Sequence, residues 1–262
     1  MSALTSLVSP SAVVTRLRAA GCVFAEDEAR LILATARTPD DAARMVDQRV
    51  VGLPLEHVLG WAEFCGLRIA VDPGVFVPRR RTEHLVRQAA ALAGGPSPVV
   101  VDLCCGSGAV GAALLAALPG AELHAADIDP AAVRCARRNL AAGVPVHEGD
   151  LYAPLPATLK GRVGVLVANA PYVPTGQIEF LPPEARDHEP QVALDGGSDG
   201  LAVQRRVAAE AVDWLAPGGH LLVETSERQA AATAAWFTRA GLVAEVAHDE
   251  ELHATVVSGR RP

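Results

Sequence analysis

The chain predicts an α/β protein: a largely parallel sheet covered by helices and closed by an antiparallel hairpin, with a small helical N-terminal domain before it. Three observations carry this. From residue 82 short apolar runs alternate with helical segments, the pattern of a parallel sheet with helices on both faces. The last two runs are separated only by a few residues around Asp249-Glu250-Glu251, too few for a crossover, so they are antiparallel neighbours. Residues 11–36 and 40–50 space their apolar positions by three and four (Val13, Val14, Leu17; Ala29, Ile32, Leu33) and are broken by Gly21 and Thr38-Pro39, which reads as short helices.

The elements follow in order. Residues 64–79, FCGLRIAV-DPG-VFVPR, place two β-rich runs around Asp72-Pro73-Gly74, where Pro presets φ and Gly accepts a positive φ. A hairpin is expected there, linking a helical domain (1–60) through 61–81 to a catalytic domain (82–262). Strands are expected at 99–103, 122–127, 144–148, 163–168, 220–225, 242–248 and 252–258. Helices are expected near 82–93, 109–118, 130–141, 201–215 and 227–240.

At 262 residues, half of them apolar, the chain can bury a sizeable core. No apolar run approaches the ~20 residues of a membrane span, and the N-terminus lacks a basic segment followed by an apolar one, so the expected location is the cytoplasm. Cys22, Cys65, Cys104, Cys105 and Cys135 form an odd set without metal spacing, so neither disulfides nor a metal centre is expected. Residues 1–80 hold nine Arg and nine acids, so the net charge of −7 arises wholly beyond them. That argues against direct nucleic-acid binding through bulk positive potential. Arg79-Arg80-Arg81 reads as a solvated turn.

The chemistry concentrates at predicted strand ends. VVVDLCCGSGAVG (99–111) is a buried strand, an acid and a Gly-containing turn before a helix; ligands of such sheets bind beyond the carboxyl ends of strands, and Gly106 and Gly108 would admit one to the backbone. Gly106, Gly108 and Gly111 spell a dinucleotide spacing that is weak alone, and a tight turn without ligand is its plain alternative. HAADIDP ends the next strand with Asp127, placed for ribose hydroxyls, while Asp129-Pro130 starts a helix. GDLY closes the third with Asp150, placed for an adenine amino group, and Leu151, which would cover the ring. Three acids at three strand ends favour a nucleoside without phosphates.

VANAPYVP (167–174) ends the fourth strand. An unpaired buried Asn amide is costly and Pro cannot join a ladder, so packing alone accounts poorly for this stretch. Asn169 offers an acceptor and a donor, Ala170 a carbonyl, and Tyr172 an aromatic wall beside Pro171, which suits a planar group with N–H donors. An Asx-type turn closing the strand is the bland alternative.

These stretches, with PLEHVLG (54–60), PGVFVPRRRTEHLV (73–86), HEPQVALDGGSDGL (188–201) and LAPGGHLLVET (215–225), resemble the class I S-adenosylmethionine-dependent methyltransferases, and within them the glutamine methyltransferases of peptide chain release factors. The resemblance implies a Rossmann-like sheet and an N-terminal domain that engages a protein substrate. It implies S-adenosylmethionine held by Asp102, Cys104, Cys105, Gly106, Ser107, Gly108, Asp127, Asp150, Leu151 and Asn169. It further implies a substrate glutamine held by Asn169, Ala170, Pro171 and Tyr172, with no metal. Two departures stand out: Ala170 where the family has Pro, and Cys104-Cys105 where it has Gly-Thr. The Cys at 104 predicts a less extreme backbone there than Gly would take, and together the two mark a divergent branch.

Glu224 and His188 read as structural, and 188–200 as a loop over the same sheet edge in which Glu189 and Pro190 order the site. Three rival readings stand beside the glutamine methyltransferase: a methyltransferase of a small-molecule amine, an NAD-dependent oxidoreductase using GSGAVG, and a cofactor-binding module without catalysis.

Overall fold

A computed structural model describes residues 9–262. Among the described residues four helices come first: α1 (Pro10–Ala19), α2 (Ala25–Thr35), α3 (Pro39–Val50) and α4 (Leu55–Leu59). Capping explains two of their starts. Ser9 and Thr38 accept from the backbone N–H three residues on, each followed by Pro at the first helical position. Val13, Leu17, Ile32, Val46 and Leu59 meet in an apolar cluster separate from the two that flank the sheet.

The hairpin is one turn earlier than the sequence predicts. Strands β1 (Trp61–Phe64) and β2 (Leu67–Ala70) pair antiparallel across Cys65-Gly66, whose φ values of +50° and +72° suit a two-residue hairpin turn matched to strand twist. Asp72-Pro73-Gly74 does turn the chain, with the Val75 N–H donating to the Asp72 carbonyl, but the runs on its two sides do not pair with each other. The turn residues were read correctly and the pairing was not. The segment after this turn instead packs beneath the sheet edge, and the Val77 N–H donates to Glu189.

Beyond this lie α5 (Glu83–Leu92), β3 (Val99–Leu103), α6 (Ala109–Ala117), β4 (Glu122–Asp127), α7 (Pro130–Asn139), β5 (Val146–Glu148) and β6 (Val163–Ala168). Two short helices follow, α8 (Pro183–His188) and α9 (Gln191–Leu194), the second within the loop predicted at 188–200. Then come α10 (Ala202–Trp214), β7 (Leu215–Thr225), α11 (Glu227–Arg239), β8 (Val243–Asp249) and β9 (Ala254–Arg260). Seven strands form one sheet in the order β5-β4-β3-β6-β7-β9-β8. The first five run parallel, β9 lies antiparallel to β7, and β8 is antiparallel to β9, as the short final connection requires.

Alternation along the strands sorts the core into two layers. Val100, Val165, Val167 and Leu222 face α5, α6 and α7, whereas Val101, Leu166, Leu221 and Val223 face α10 and α11. The order of the strands reverses between β3 and β6, so a crevice opens outside the ends of these two strands. It is there that most of the predicted site residues gather.

Candidate active site

Register fixes the first layer of the site. Leu103 on β3 stands beside Ala126 on β4 and Ala168 on β6, so the next residues, Cys104, Asp127 and Asn169, leave the sheet side by side. Asp102 is fully buried and accepts from the Gly111 N–H at 2.9 Å, which ties the strand end to the first turn of α6. Burial raises its carboxyl to about 7, against the pull of that N–H. Asp127 accepts from the Gly106 N–H at 2.8 Å and from the Asp129 N–H at 2.9 Å, and burial also raises its pKa. Both of its oxygens are therefore aimed by backbone donors. Asp129 caps α7 as predicted, accepting from Ala131.

Two glycines of the turn have different jobs. Gly106, at φ +55°, has open space where a Cβ would stand and lines the crevice. Gly108 instead lets α6 approach α7, since a Cβ there would lie 3.1 Å from Ala136. Cys104 overturns an expectation: its φ is +55°, the left-handed conformation that Gly adopts freely and an L-residue reaches at a cost of roughly 1–2 kcal/mol. Cys104 therefore carries strain that a Gly at this position would not.

Two clefts open from this edge. The first, about 770 Å³ including its mouth, is lined by Asp102, Cys104, Cys105, Gly106, Ser107 and Asp127, with Phe64, Phe76 and Val192 as apolar walls. Ile128, 51% exposed beside Asp127, also lines it. Asp150 and Leu151 lie outside. Asp150 pairs with Arg206 at 2.6 Å, and Leu151 is buried at φ +48° against Tyr152 and its neighbours. The short β5 ends two strands away from the switch point, and Asp150 beyond it meets α10 through Arg206.

The second cleft, about 940 Å³ including its mouth, contains Asn169, Ala170, Pro171 and Tyr172. It shares Phe76, Asn169, Pro171 and Ala193 with the first, so the two meet at Asn169. Asn169 Nδ2 donates to Thr82 Oγ1 at 3.3 Å, which turns its Oδ1 away from that donor contact. Among the described residues no donor reaches the Ala170 carbonyl.

Long-range partners hold this wall. Tyr172 donates its hydroxyl to Glu224 Oε1 at 3.0 Å, and Arg81 Nε donates to the same oxygen at 3.0 Å. Burial and the Glu224 charge push the Tyr172 phenol up, so it stays a donor. Arg79 pairs with Glu189 at 2.6 Å, whose side chain is 1% exposed. The reading of 79–81 as a solvated turn is therefore corrected: two of the three guanidinium groups are recruited by buried carboxylates. The glycine-rich stretch braces the same wall. Val173 bridges Asp195, and a Cβ at Gly200 would stand 2.4 Å from the Tyr172 carbonyl.

Sequence reasoning missed Thr82, Arg81, Ile128 and Asn139. Asn139 Nδ2 donates to the Ala70 and Ser107 carbonyls at 2.8 Å each, fastening the hairpin to the Gly turn. An Asn ending a helix before a predicted strand was its only local signal.

Comparison with known proteins fixes the family. Residues 66–180 match the Methyltransferase small domain. The release factor glutamine methyltransferase of Deinococcus radiodurans is 38% identical over 94% of this chain and 95% of its own length. The chain belongs to the release factor glutamine methyltransferase family. It is an S-adenosylmethionine-dependent methyltransferase. A second relative, the 4-amino-L-phenylalanine/4-methylamino-L-phenylalanine methyltransferase of Streptomyces pristinaespiralis, is 37% identical over 87% of this chain and 80% of its own. The fold is shared with a methyltransferase from Pyrococcus furiosus, 17% identical, with a TM-score of 0.57 over 75% of this chain and 89% of that one. No helix among the described residues is long and apolar enough to cross a membrane.

Proposed function

We propose that this enzyme transfers a methyl group to the side-chain amide nitrogen of a glutamine in a protein, a release factor or a related acceptor. One observation carries the reading: the two clefts meet at Asn169, whose Nδ2 is engaged by Thr82 while Oδ1 is left for an incoming N–H. In this reading residues 1–60 recognise the protein substrate, 61–81 link, and 82–262 catalyse.

The first cleft fits S-adenosylmethionine. Gly106 leaves room at the backbone, Asp127 retains lone pairs for ribose hydroxyls after its two backbone bonds, and Ile128 and Val192, each about half exposed, offer apolar cover for a ring. Asp102, Cys104, Cys105, Ser107 and Asn169 complete the wall, and Gly108 acts from behind it. Asp150 and Leu151 do not line this cleft, and their place at the adenine rests on the family resemblance alone. When bound, the cofactor supplies an electrophilic methyl group on a sulfonium.

A carboxamide nitrogen is a poor nucleophile because its lone pair is delocalised. Asn169 Oδ1 and the Ala170 carbonyl accept the two amide hydrogens and aim the nitrogen, while Pro171 and the Tyr172 ring hold the amide plane. Orienting two reactants in this way can contribute roughly 7–11 kcal/mol. The proton leaves after transfer, so no general base is invoked.

A second reading, methylation of an aromatic amine, is favoured by the Streptomyces pristinaespiralis relative and by Ala170, which removes a flat ring from the wall. Ala170→Pro separates the two. On the glutamine reading it keeps fold and cofactor affinity and raises the rate on a release factor carrying its Gly-Gly-Gln loop. If wild type and variant both leave that loop unmodified while an arylamine gains a methyl, the second reading replaces the first.

A further inference from the structure

A third cleft lies beyond Tyr172 and continues the acceptor cleft, sharing Arg81, Tyr172, Val173 and Leu181 with it. Its character is different. Glu224, Glu227, Asp249 and Glu250 line it. Arg81 takes one oxygen of Glu224, and Arg87 pairs with Asp249, but no cation among the described residues pairs with Glu227 or Glu250. The cleft is thus left with excess negative charge.

Buried groups supply the second observation. Glu224 Oε2 and Thr225 Oγ1 have no hydrogen-bond partner among the described residues, although Glu224 is 1% and Thr225 4% exposed and both line this cleft. A buried acceptor without a donor is costly, and a carboxylate oxygen accepts only. A guest that brings both positive charge and several N–H donors meets both demands at once.

We propose that this cleft is a subsite for a basic side chain, a guanidinium or an ammonium, on the polypeptide flanking the methylated residue. The proposal rests on the protein-glutamine reading, because a small arylamine would not extend past Tyr172. Chain continuity supports it: a peptide whose glutamine reaches Asn169 leaves along Tyr172 and Leu181, and the next groups that it meets are these carboxylates. The rim acids Glu227 and Glu250 select the charge, and Glu224 Oε2 rewards a donor that enters deeply.

The test uses the whole enzyme and fluorescent Gly-Gly-Gln peptides flanked by Arg, by Lys or by Glu. Anisotropy should give the Arg and Lys peptides about tenfold tighter binding than the Glu peptide at low salt, a difference of sign facing two unpaired carboxylates. Glu227→Gln/Glu250→Gln should shrink that preference to about twofold while cofactor affinity is unchanged. A distant control, Glu63→Gln/Glu148→Gln, should keep it. Arg binding tighter than Lys identifies a guanidinium site, and the reverse an ammonium site. Equal affinity for all flanks, or equal loss in the control, overturns the subsite. Methyl transfer to the same peptides is read separately: charge-selective binding without methylation upholds the subsite and overturns the glutamine reading, whereas methylation indifferent to flanking charge does the opposite.

Discussion

The two clefts that meet at Asn169 are built by different means. The cofactor-side wall is local: Asp127 holds Gly106 across two neighbouring strand ends, and Asp102 holds Gly111 nine positions along its own strand-turn-helix. The acceptor-side wall is assembled from afar. Arg81 meets Glu224 at a separation of 143 residues, Arg79 meets Glu189 at 110, and Asn169 meets Thr82 at 87. A local wall survives as a motif through changes elsewhere. A distributed wall can be retuned by any of its partners, which suits a surface that must fit one acceptor and reject others.

Asn169→Ala tests that division most strongly. Losing the oxygen that orients the acceptor should lower kcat by about 100-fold or more, with only a small change in affinity for S-adenosylhomocysteine. Steady-state kinetics with calorimetry separates the two effects, and an unchanged kcat would reduce Asn169 to a turn-closing residue.

Glu224→Ala should come next. It deprives Tyr172 and Arg81 of a common acceptor, and because Glu224 is buried while Arg81 is partly exposed, the stability loss should be about 1–3 kcal/mol. Turnover should fall further than cofactor affinity does. Equal losses in both would mean that the two walls are one unit.

The cofactor-side wall carries a pH signature. Burial raises Asp102 from 3.8 to about 7, so folding favours its protonated form. That contribution is complete below the unfolded value and is lost as pH rises through about 7. In the protein without cofactor, Asp102→Asn should therefore gain on wild type between about pH 5 and about pH 8, by on the order of 2 kcal/mol, in denaturant titrations. A difference independent of pH would show that the carboxyl titrates normally.

The smallest effect belongs to the strained turn. Cys104→Gly removes the left-handed strain at φ +55° but adds unfolded-state freedom, so a net gain of no more than about 1 kcal/mol is expected. A clear loss would assign the Cys104 side chain a packing role.

These differences also explain what could be read before the structure. Gly106, Asp127 and the cap at Asp129 were legible because strand, turn and helix start are written in adjacent residues. Asn169 was legible because its polarity contradicts its strand. Arg81 reads as a solvated turn because its partner lies 143 residues away, and the Arg206 partner of Asp150 is hidden in the same way, 56 residues on. The hairpin differs in the same way: two turn signals stand eight residues apart, and only the first, with positive φ at both Cys65 and Gly66, joins paired strands.

The reaction proposed for the two walls is methyl transfer to a glutamine amide where they meet. Incubating the enzyme with a dialysed cell lysate and isotope-labelled S-adenosylmethionine, then locating the label by mass spectrometry, tests it most directly. Label is expected on the side-chain nitrogen of a glutamine in a protein, and it should be lost when Asn169→Ala replaces the wild type. Label that appears only when the small-molecule fraction is restored, and then on an amine with no labelled protein, would contradict it.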